Sequence, residues 1–310
     1  MATDSPPAVF VASATGTQGS AVARQLRDLG WQVHATTRNT DSEAAKDLIA
    51  RGVRVTQGDW NNEAALEEAI AGCHLLFLCL FPNFTDPSIE LAQAKAIFRI
   101  AKAARVTHAI YSGGLPTQTL PRYDPTSFIE PFRVSKQNIE KELKGAGFKY
   151  WTILEPAFFM ANFLSPKVEW QYPGATETGS FNFAYRPDTV LPLIDHEDIA
   201  AFSVAAFREP DRFHQQTIRL AGELLTVGKI IELLAHTAER NLRGGYLSDE
   251  EVGKATDFKV TNQVLTFDLY TLVNLDEVRR WGLRLGTFEE FVEREAGNVK
   301  ETYRNVKTSR

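Results

Sequence analysis

A chain of 310 residues, 44% hydrophobic and 24% charged, is long enough to bury a large core, as one big domain or two smaller ones. Its formal net charge of −5, with the basic residues scattered, argues against direct binding to nucleic acid or to an anionic lipid surface. The polar Met1–Pro7 start has no cleavable apolar pattern, and the most apolar stretch, Leu75–Phe81, is too short to cross a bilayer. The expectation is a cytoplasmic protein without a membrane anchor, or a nuclear one if it acts as a regulator.

The first element is the apolar run Val9-Phe10-Val11-Ala12, which turns through Ser13-Ala14-Thr15-Gly16-Thr17-Gln18-Gly19 into a segment with Val22, Leu26 and Leu29 at helical spacing. Such a turn receives a pyrophosphate: Gly16 lets the backbone approach the phosphates, Gly19 lets the helix pack on the strand, and the free amides at the helix start face negative charge. Ser13 stands where the usual motif has its first glycine. Trp31–Thr37 reads as a second strand, followed by Arg38, about 20 residues beyond the glycines, at the place of the ribose-reading residue. A carboxylate there would accept from the free 2′-hydroxyl of NAD, whereas a guanidinium offers paired donors to the 2′-phosphate of NADP. The expected cofactor is therefore NADP(H).

Val53–Gln57 follows as a third strand, and Gly58-Asp59-Trp60 then borders an adenine, with Asp59 either accepting from its amino group or serving as an exposed turn carboxylate. Glu63–Ala71 reads as a helix, Leu75–Leu80 as a buried strand holding or adjoining the free thiols Cys73 and Cys79, and Pro87–Ala104 as a long helix. Ala109–Ser112, closed by Gly113-Gly114, Ile129–Gly147 and Tyr150–Leu154 complete a strand–helix–strand series. Right-handed crossovers make this an α/β fold with a doubly wound parallel sheet over residues 1–155, and ligands belong at the carboxyl ends of its strands.

From Pro156 the pattern changes. Phe158, Phe159, Phe163, Trp170, Tyr172, Phe181, Phe183 and Tyr185 crowd a stretch broken by prolines and glycines, the look of a pocket-lining lobe, although aromatics of this kind also serve as core. Val190–Asp195 reads as a strand feeding a helix from His196, and residues 190–207 are expected to pack back on the first domain. Leu224–Arg240, Ser248–Thr256 and Thr287–Arg304 read as helices, so residues 156–310 make a second, smaller α-rich substrate or partner lobe. No histidine pairs with a cysteine or second histidine at metal-ligand spacing, so no metal is expected. Asp195-His196-Glu197-Asp198 suits a helix N-cap and a favourable first turn.

The motifs Ala14–Gly19, Thr37-Arg38-Asn39, Gln57-Gly58-Asp59, Tyr111-Ser112-Gly113, Lys136 in its helix, and Pro156–Asn162 together resemble the NmrA-like family of atypical short-chain dehydrogenase/reductases, in its HSCARG-type branch. The resemblance runs through nearly all of the chain and implies a Rossmann-type fold. It implies that Ser13, Thr15, Gly16, Thr17, Gln18, Gly19 and Arg38 hold NADP(H). Asp59, Trp60, Leu80, Phe81, Ser112, Gly113, Pro156, Phe158 and Phe159 would border it, and Lys136 would reach the nicotinamide ribose.

Typical short-chain reductases use Tyr-x-x-x-Lys, in which the lysine charge lowers the phenol pKa so that it hands a proton to the reduced carbonyl. Four residues before Lys136 stands Phe132, which has no proton to give. The remaining catalytic candidates are Lys136 itself, as acid or base if desolvated, or as a ribose ligand without chemistry; Ser112; and Tyr123, as a substitute donor or an ordinary loop tyrosine. Phe84, Phe132, Phe159, Asn162 and Phe163 are expected around a bulky apolar or aromatic substrate, of the secondary-metabolite kind. Hydride would pass to an iminium or activated double bond needing little acid assistance, and such a pocket also suits a cyclisation or rearrangement with the cofactor regenerated. The alternative is a redox sensor or transcriptional regulator that binds the dinucleotide without turning it over and answers to a protein partner.

Overall fold

The computed structural model describes residues 6–255 and 258–308. Residues 1–5 of the polar start and Thr256, the expected end of one helix, lie outside them. The first half alternates short apolar strands with amphipathic helices: β1 (Ala8–Val11), α1 (Thr17–Asp28), β2 (Gln32–Thr37), α2 (Glu43–Ala50), β3 (Arg54–Gln57), α3 (Glu63–Ile70), β4 (Leu75–Leu78), α4 (Ser88–Ala103), β5 (His108–Ser112), α5 (Glu130–Gly145) and β6 (Tyr150–Pro156). Side-chain caps fix where α2 and α3 begin. Ser42 accepts from the Ala45 N–H, and Asn62 accepts from the Ala65 N–H.

The remaining elements are β7 (Phe158–Phe159), α6 (Lys167–Gln171), α7 (Ala175–Thr178), β8 (Ser180–Phe183), β9 (Val190–Ile194), α8 (His196–Arg208), α9 (Pro210–Phe213), β10 (Gln216–Leu220), β11 (Glu223–Thr226), α10 (Val227–Ala238), β12 (Arg243–Tyr246), α11 (Asp249–Lys254), α12 (Phe258–Leu265), α13 (Leu275–Arg279), α14 (Phe288–Arg294) and α15 (Ala296–Thr302).

A seven-stranded sheet runs in the order β10-β6-β5-β4-β1-β2-β3. The pairings from β3 through to β6 are all parallel, with Val9 of β1 set between Val33 of β2 and Leu75 of β4. This is the doubly wound Rossmann-type α/β fold, in which the chain reverses its direction of winding between β1 and β4. Its strands read as continuous apolar runs because helices cover both faces, and Phe10, Leu76, Leu78, Ile97, Tyr111 and Ile153 share one core.

The chain divides into two units: residues up to Gly114 with Pro131–Glu155 and Ile199–Ile218, and Leu115–Glu130 with Pro156–Asp198 and Arg219–Arg310. The second unit holds two small sheets, β11-β9-β7 and β12-β8; β9 is the strand expected over Val190–Asp195, and the other strands fall where the sequence suggested helices and irregular chain. Leu224–Thr226 pairs antiparallel with β9, so the helix expected from Leu224 starts at Val227. The helix expected over Thr287–Arg304 breaks at Glu295 into α14 and α15.

The aromatic stretch of this unit is mainly core. Phe163, Tyr172, Phe181, Phe183 and Tyr185 pack with Phe288, Phe291 and Tyr303 in one buried cluster. Cys73 and Cys79 are free and buried. Among the described residues, no helix is long and apolar enough to cross a membrane.

Candidate functional site

The turn between β1 and α1 is built so that a helix start is left open. Gly16 is the N-cap, with no side-chain cap, and the first helical bond runs from the Ser20 N–H to the Gly16 carbonyl. The amides of Thr17, Gln18 and Gly19 precede that bond. The first turn of α1 carries no acidic residue, whereas those of α2, α3 and α4 carry Glu43, Glu63 and Glu90. The positive end of α1 is therefore not neutralised from its own first turn. Gly19 is buried so tightly that a Cβ there would sit 2.2 Å from the Ser13 carbonyl oxygen. Ser13 takes φ of +53°, and its hydroxyl donates to the Cys79 carbonyl at 2.7 Å, tying the turn to the chain leaving β4.

This turn opens onto a cavity of about 630 Å³ at the carboxyl ends of β1 to β4. Ser13, Thr15 and Gly16 line it from the turn, exposed Arg38 from the end of β2, Asp59 and Trp60 from the end of β3, and Phe81 from beyond β4. The Asp59 carboxylate accepts from the Asn61 and Asn62 N–H groups, which shapes the turn while leaving the residue exposed. Asn39, Ser42, Asn61, Asn83, Ile89 and Gln93 also line the cavity; the resemblance covers Asn39 through its motif and Asn83 through the Phe81–Phe84 loop expected beside the cofactor, and the other four were not among the sequence-derived candidates. Asn39 and Ser42 carried a local signal, the Asn39-x-x-Ser42 turn, in which the Ser42 hydroxyl donates to the Asn39 carbonyl at 3.0 Å.

The expected catalytic residues lie at the end of β5 and on α5. Ser112 is buried, and its hydroxyl donates to Oε1 of Gln18 at 2.7 Å. The Gly113 N–H donates to the Leu154 carbonyl. Lys136 presents its ammonium to Glu90 of α4 at 2.8 Å, with the glutamate side chain fully buried and that of the lysine 25% exposed. One turn before it, Phe132 is buried against Phe84, which in turn meets Phe81, at ring-centre distances of 5.1 and 5.7 Å. Phe81 is 69% exposed at the cavity edge, while Leu80 beside it is buried. Burial pushes the Cys79 thiol up to about 11, and burial together with Glu90 and Glu140 holds the Tyr111 phenol well above its ordinary range. Neither is a base or nucleophile at neutral pH.

The remaining candidates belong to the second unit. The Tyr123 hydroxyl donates to Oε1 of Glu130 at 2.6 Å. Pro156 is buried at the end of β6, Phe158 and Phe159 are half-buried on β7 beside Leu193 and Ile194, and Asn162 is half-buried in the 3-10 turn Met160–Phe163. Phe163 was expected at the substrate and is instead a core residue. It is 1% exposed, stacks on Tyr172 and meets Phe158 and Phe288 edge-on or tilted. Among the described residues, no group of three or more His, Cys, Asp or Glu is placed to hold a metal ion.

The profile of the NmrA-like family matches residues 7–306. An NAD(P)H azoreductase of Xenophilus azovorans is 28% identical over 250 residues, covering 80% of this chain and 79% of that enzyme. Among solved structures, NmrA, a negative transcriptional regulator crystallised with NAD, superposes with a TM-score of 0.72 at 20% identity and covers 96% of each chain. An NADPH-dependent quinone oxidoreductase of Escherichia coli in complex with NADPH superposes at 0.70 and 22% identity, over 92% of this chain and 99% of that one.

Proposed function

The chain belongs to the NmrA-like family, and from that premise we propose that it is an NADP(H)-dependent oxidoreductase that reduces a bulky, electron-poor aromatic small molecule. The observation that carries the reading is the pairing of an unneutralised helix start with an exposed guanidinium, Arg38, on one cavity. Those residues fit a phosphorylated dinucleotide. Bound there, NADP(H) would have its pyrophosphate at the amides of Thr17, Gln18 and Gly19, its 2′-phosphate held by Arg38, its adenine bordered by Asp59 and Trp60, and its ribose hydroxyls taken by Lys136.

The chemistry such a cofactor supplies is hydride transfer, two electrons with one hydrogen. The residues around it are poor proton donors. Phe132 has no proton to give, the Ser112 proton goes to Gln18, and the Lys136 ammonium is paired with Glu90. The acceptor they suit takes hydride without simultaneous help from a side-chain acid. A cationic iminium is neutralised by the hydride alone, and a neutral quinone, azo or enone group completes its reduction with one proton from water. Phe81 and Phe84, backed by the buried Phe132, supply the apolar wall for a flat ring. The azoreductase and quinone oxidoreductase names of two relatives agree with acceptors of this kind. A substrate drawn from secondary metabolism, with a cyclisation following reduction, is the extension of the same reading.

A second reading has one observation in its favour. The absence of a proton-donating tyrosine at 132 also suits a chain that binds NADP(H) and changes partner without turnover. Anaerobic mixing of the NADPH-loaded protein with aromatic quinones, azo dyes and iminium ions separates the two. Oxidation of the nicotinamide supports the enzyme, and binding without oxidation supports the sensor.

A further inference from the structure

Helix α4 begins its inward stripe with a carboxylate. Glu90, Ala94, Ile97 and Ala101 recur at spacings of four, three and four, and each is 0–1% exposed. A glutamate at the start of a helix is favoured by the helix dipole, but that effect works as well at an exposed position and does not account for burial. Burying a carboxylate is costly unless it is paired and bonded. Glu90 is only half compensated: Oε1 meets the Lys136 ammonium at 2.8 Å, while Oε2 is buried without a hydrogen-bond partner. The Tyr111 hydroxyl, which feels the Glu90 charge, is buried without a partner as well. An ion pair kept only to staple α4 to α5 would gain from apolar replacement or from full satisfaction of its oxygens.

The position of the pair points to another use. Glu90 sits between Ile89 and Gln93 of α4, which line the cavity, and its Oε1 meets the Lys136 ammonium. The pair is therefore held by the helix turn that walls that cavity.

We propose that Glu90 is a positioning residue that holds Lys136 in one rotamer, so that the lysine is presented to the cofactor hydroxyls in a fixed place. The proposal rests on the reading of the first unit as an NADP(H) site. In it, α4 supplies the buried counter-charge, α5 supplies the cation, and the proton for a reduced neutral acceptor comes from water.

The test is NADPH affinity at one pH, measured by calorimetry on the full chain. Glu90→Gln keeps the size and one oxygen acceptor but removes the counter-charge, and its affinity should fall about 10-fold. In a Lys136→Met background the same change should cost nothing further. A Glu90→Gln variant that melts earlier but binds NADPH as tightly as the wild type would overturn the proposal and leave Glu90 a structural staple. If Glu90→Gln does not fold, Glu90→Asp is read in the wild-type and Lys136→Met backgrounds. A loss of about 10-fold in affinity that vanishes without the lysine supports positioning, and an equal loss in both backgrounds overturns it. A wild type that binds no NADPH removes the cofactor reading itself, and with it the basis of the proposal.

Discussion

Ser13, Gly16 and Gly19 divide the work of one turn. Ser13 holds φ of +53°, a region glycine enters freely and serine does not, and its hydroxyl bond to the Cys79 carbonyl offsets part of that strain. At Gly19 an added Cβ would lie 2.2 Å from the Ser13 carbonyl oxygen and 2.8 Å from that of Ala12, both backbone atoms that cannot yield cheaply. At Gly16 the nearest atom would be 3.2 Å away. Gly19→Ala should therefore destabilise the fold by about 1–3 kcal/mol or more, an effect of overpacking. Gly16→Val should leave thermal unfolding nearly unchanged and abolish NADPH binding. Circular dichroism melts beside calorimetry separate the two, and equal melting losses in both variants would contradict this division.

Arg38 is the residue proposed to discriminate between cofactors. Arg38→Ala should weaken NADPH binding by about 1.5–3 kcal/mol, the worth of a charge-assisted pair, and leave NADH binding little changed. Equal losses for the two would make Arg38 a structural residue. The glycine turn, Arg38 and Asp59-Trp60, which line one cavity, stood out in the sequence because each follows a strand at a fixed offset, whereas Phe81 came from the family resemblance. Glu90 was not read, although a carboxylate on the apolar stripe of α4 was a usable sign, and Phe163 was misplaced because core and pocket aromatics carry the same pattern.

Among the elements, the junction of β9 and α8 shows how far a capping motif reaches. Asp195 accepts from the Glu197 N–H, as an N-cap does, and also takes a two-pronged contact from the Arg294 guanidinium at 2.6 and 3.1 Å. Asp198 accepts from the Gly286 N–H with both oxygens. Burial, aided by Asp195, pushes the Asp198 carboxyl up to about 7, against the Gly286 bond and the charges of Arg294 and Arg284. A value above the unfolded one, about 3.9, means that the folded state binds this proton more tightly. Its contribution to stability is complete below about pH 4 and is lost as pH rises through about 7. His196, held below its ordinary value chiefly by burial, works in the opposite sense, losing its contribution as pH falls.

Asp198→Asn should therefore flatten the fall in melting temperature between about pH 5 and pH 8. A wild-type melting temperature that rises across that range by as much as the variant's would contradict the assignment. The cap was legible because a carboxylate before a helix is a local signal. The Arg294 partner, 99 positions away, had no local signal at all. The same holds for β11, where Leu224-Leu225 looks like the start of a helix until its pairing with β9 is known.

For the molecule as a whole, the first unit was readable as repeated strand–helix units whose periodicity is intrinsic to each segment. The second was readable only in part: β9 and α10 were foreseen, but the strands that pair across it depend on distant partners. Leu115–Glu130 lies in sequence between β5 and α5, yet it joins the second unit, where Leu120 packs with Leu269 and Leu272, and Arg122 pairs with Asp268. The aromatic residues of the second unit are spent mainly on its core.

Cofactor binding should also register globally. NADPH at 100 times its dissociation constant should stabilise the chain by about 2.7 kcal/mol, and the same concentration of NADH by clearly less. The claim that ties these scales together is hydride transfer without a side-chain acid, and it is tested most directly by single-turnover absorbance at the reduced-nicotinamide band. Protein loaded with NADPH is mixed anaerobically with an aromatic quinone, an azo dye or an iminium ion. The account predicts stoichiometric oxidation of NADPH by at least one of these acceptors, with a rate flat in pH for the cationic one. Tight NADPH binding with no oxidation by any of them would contradict it.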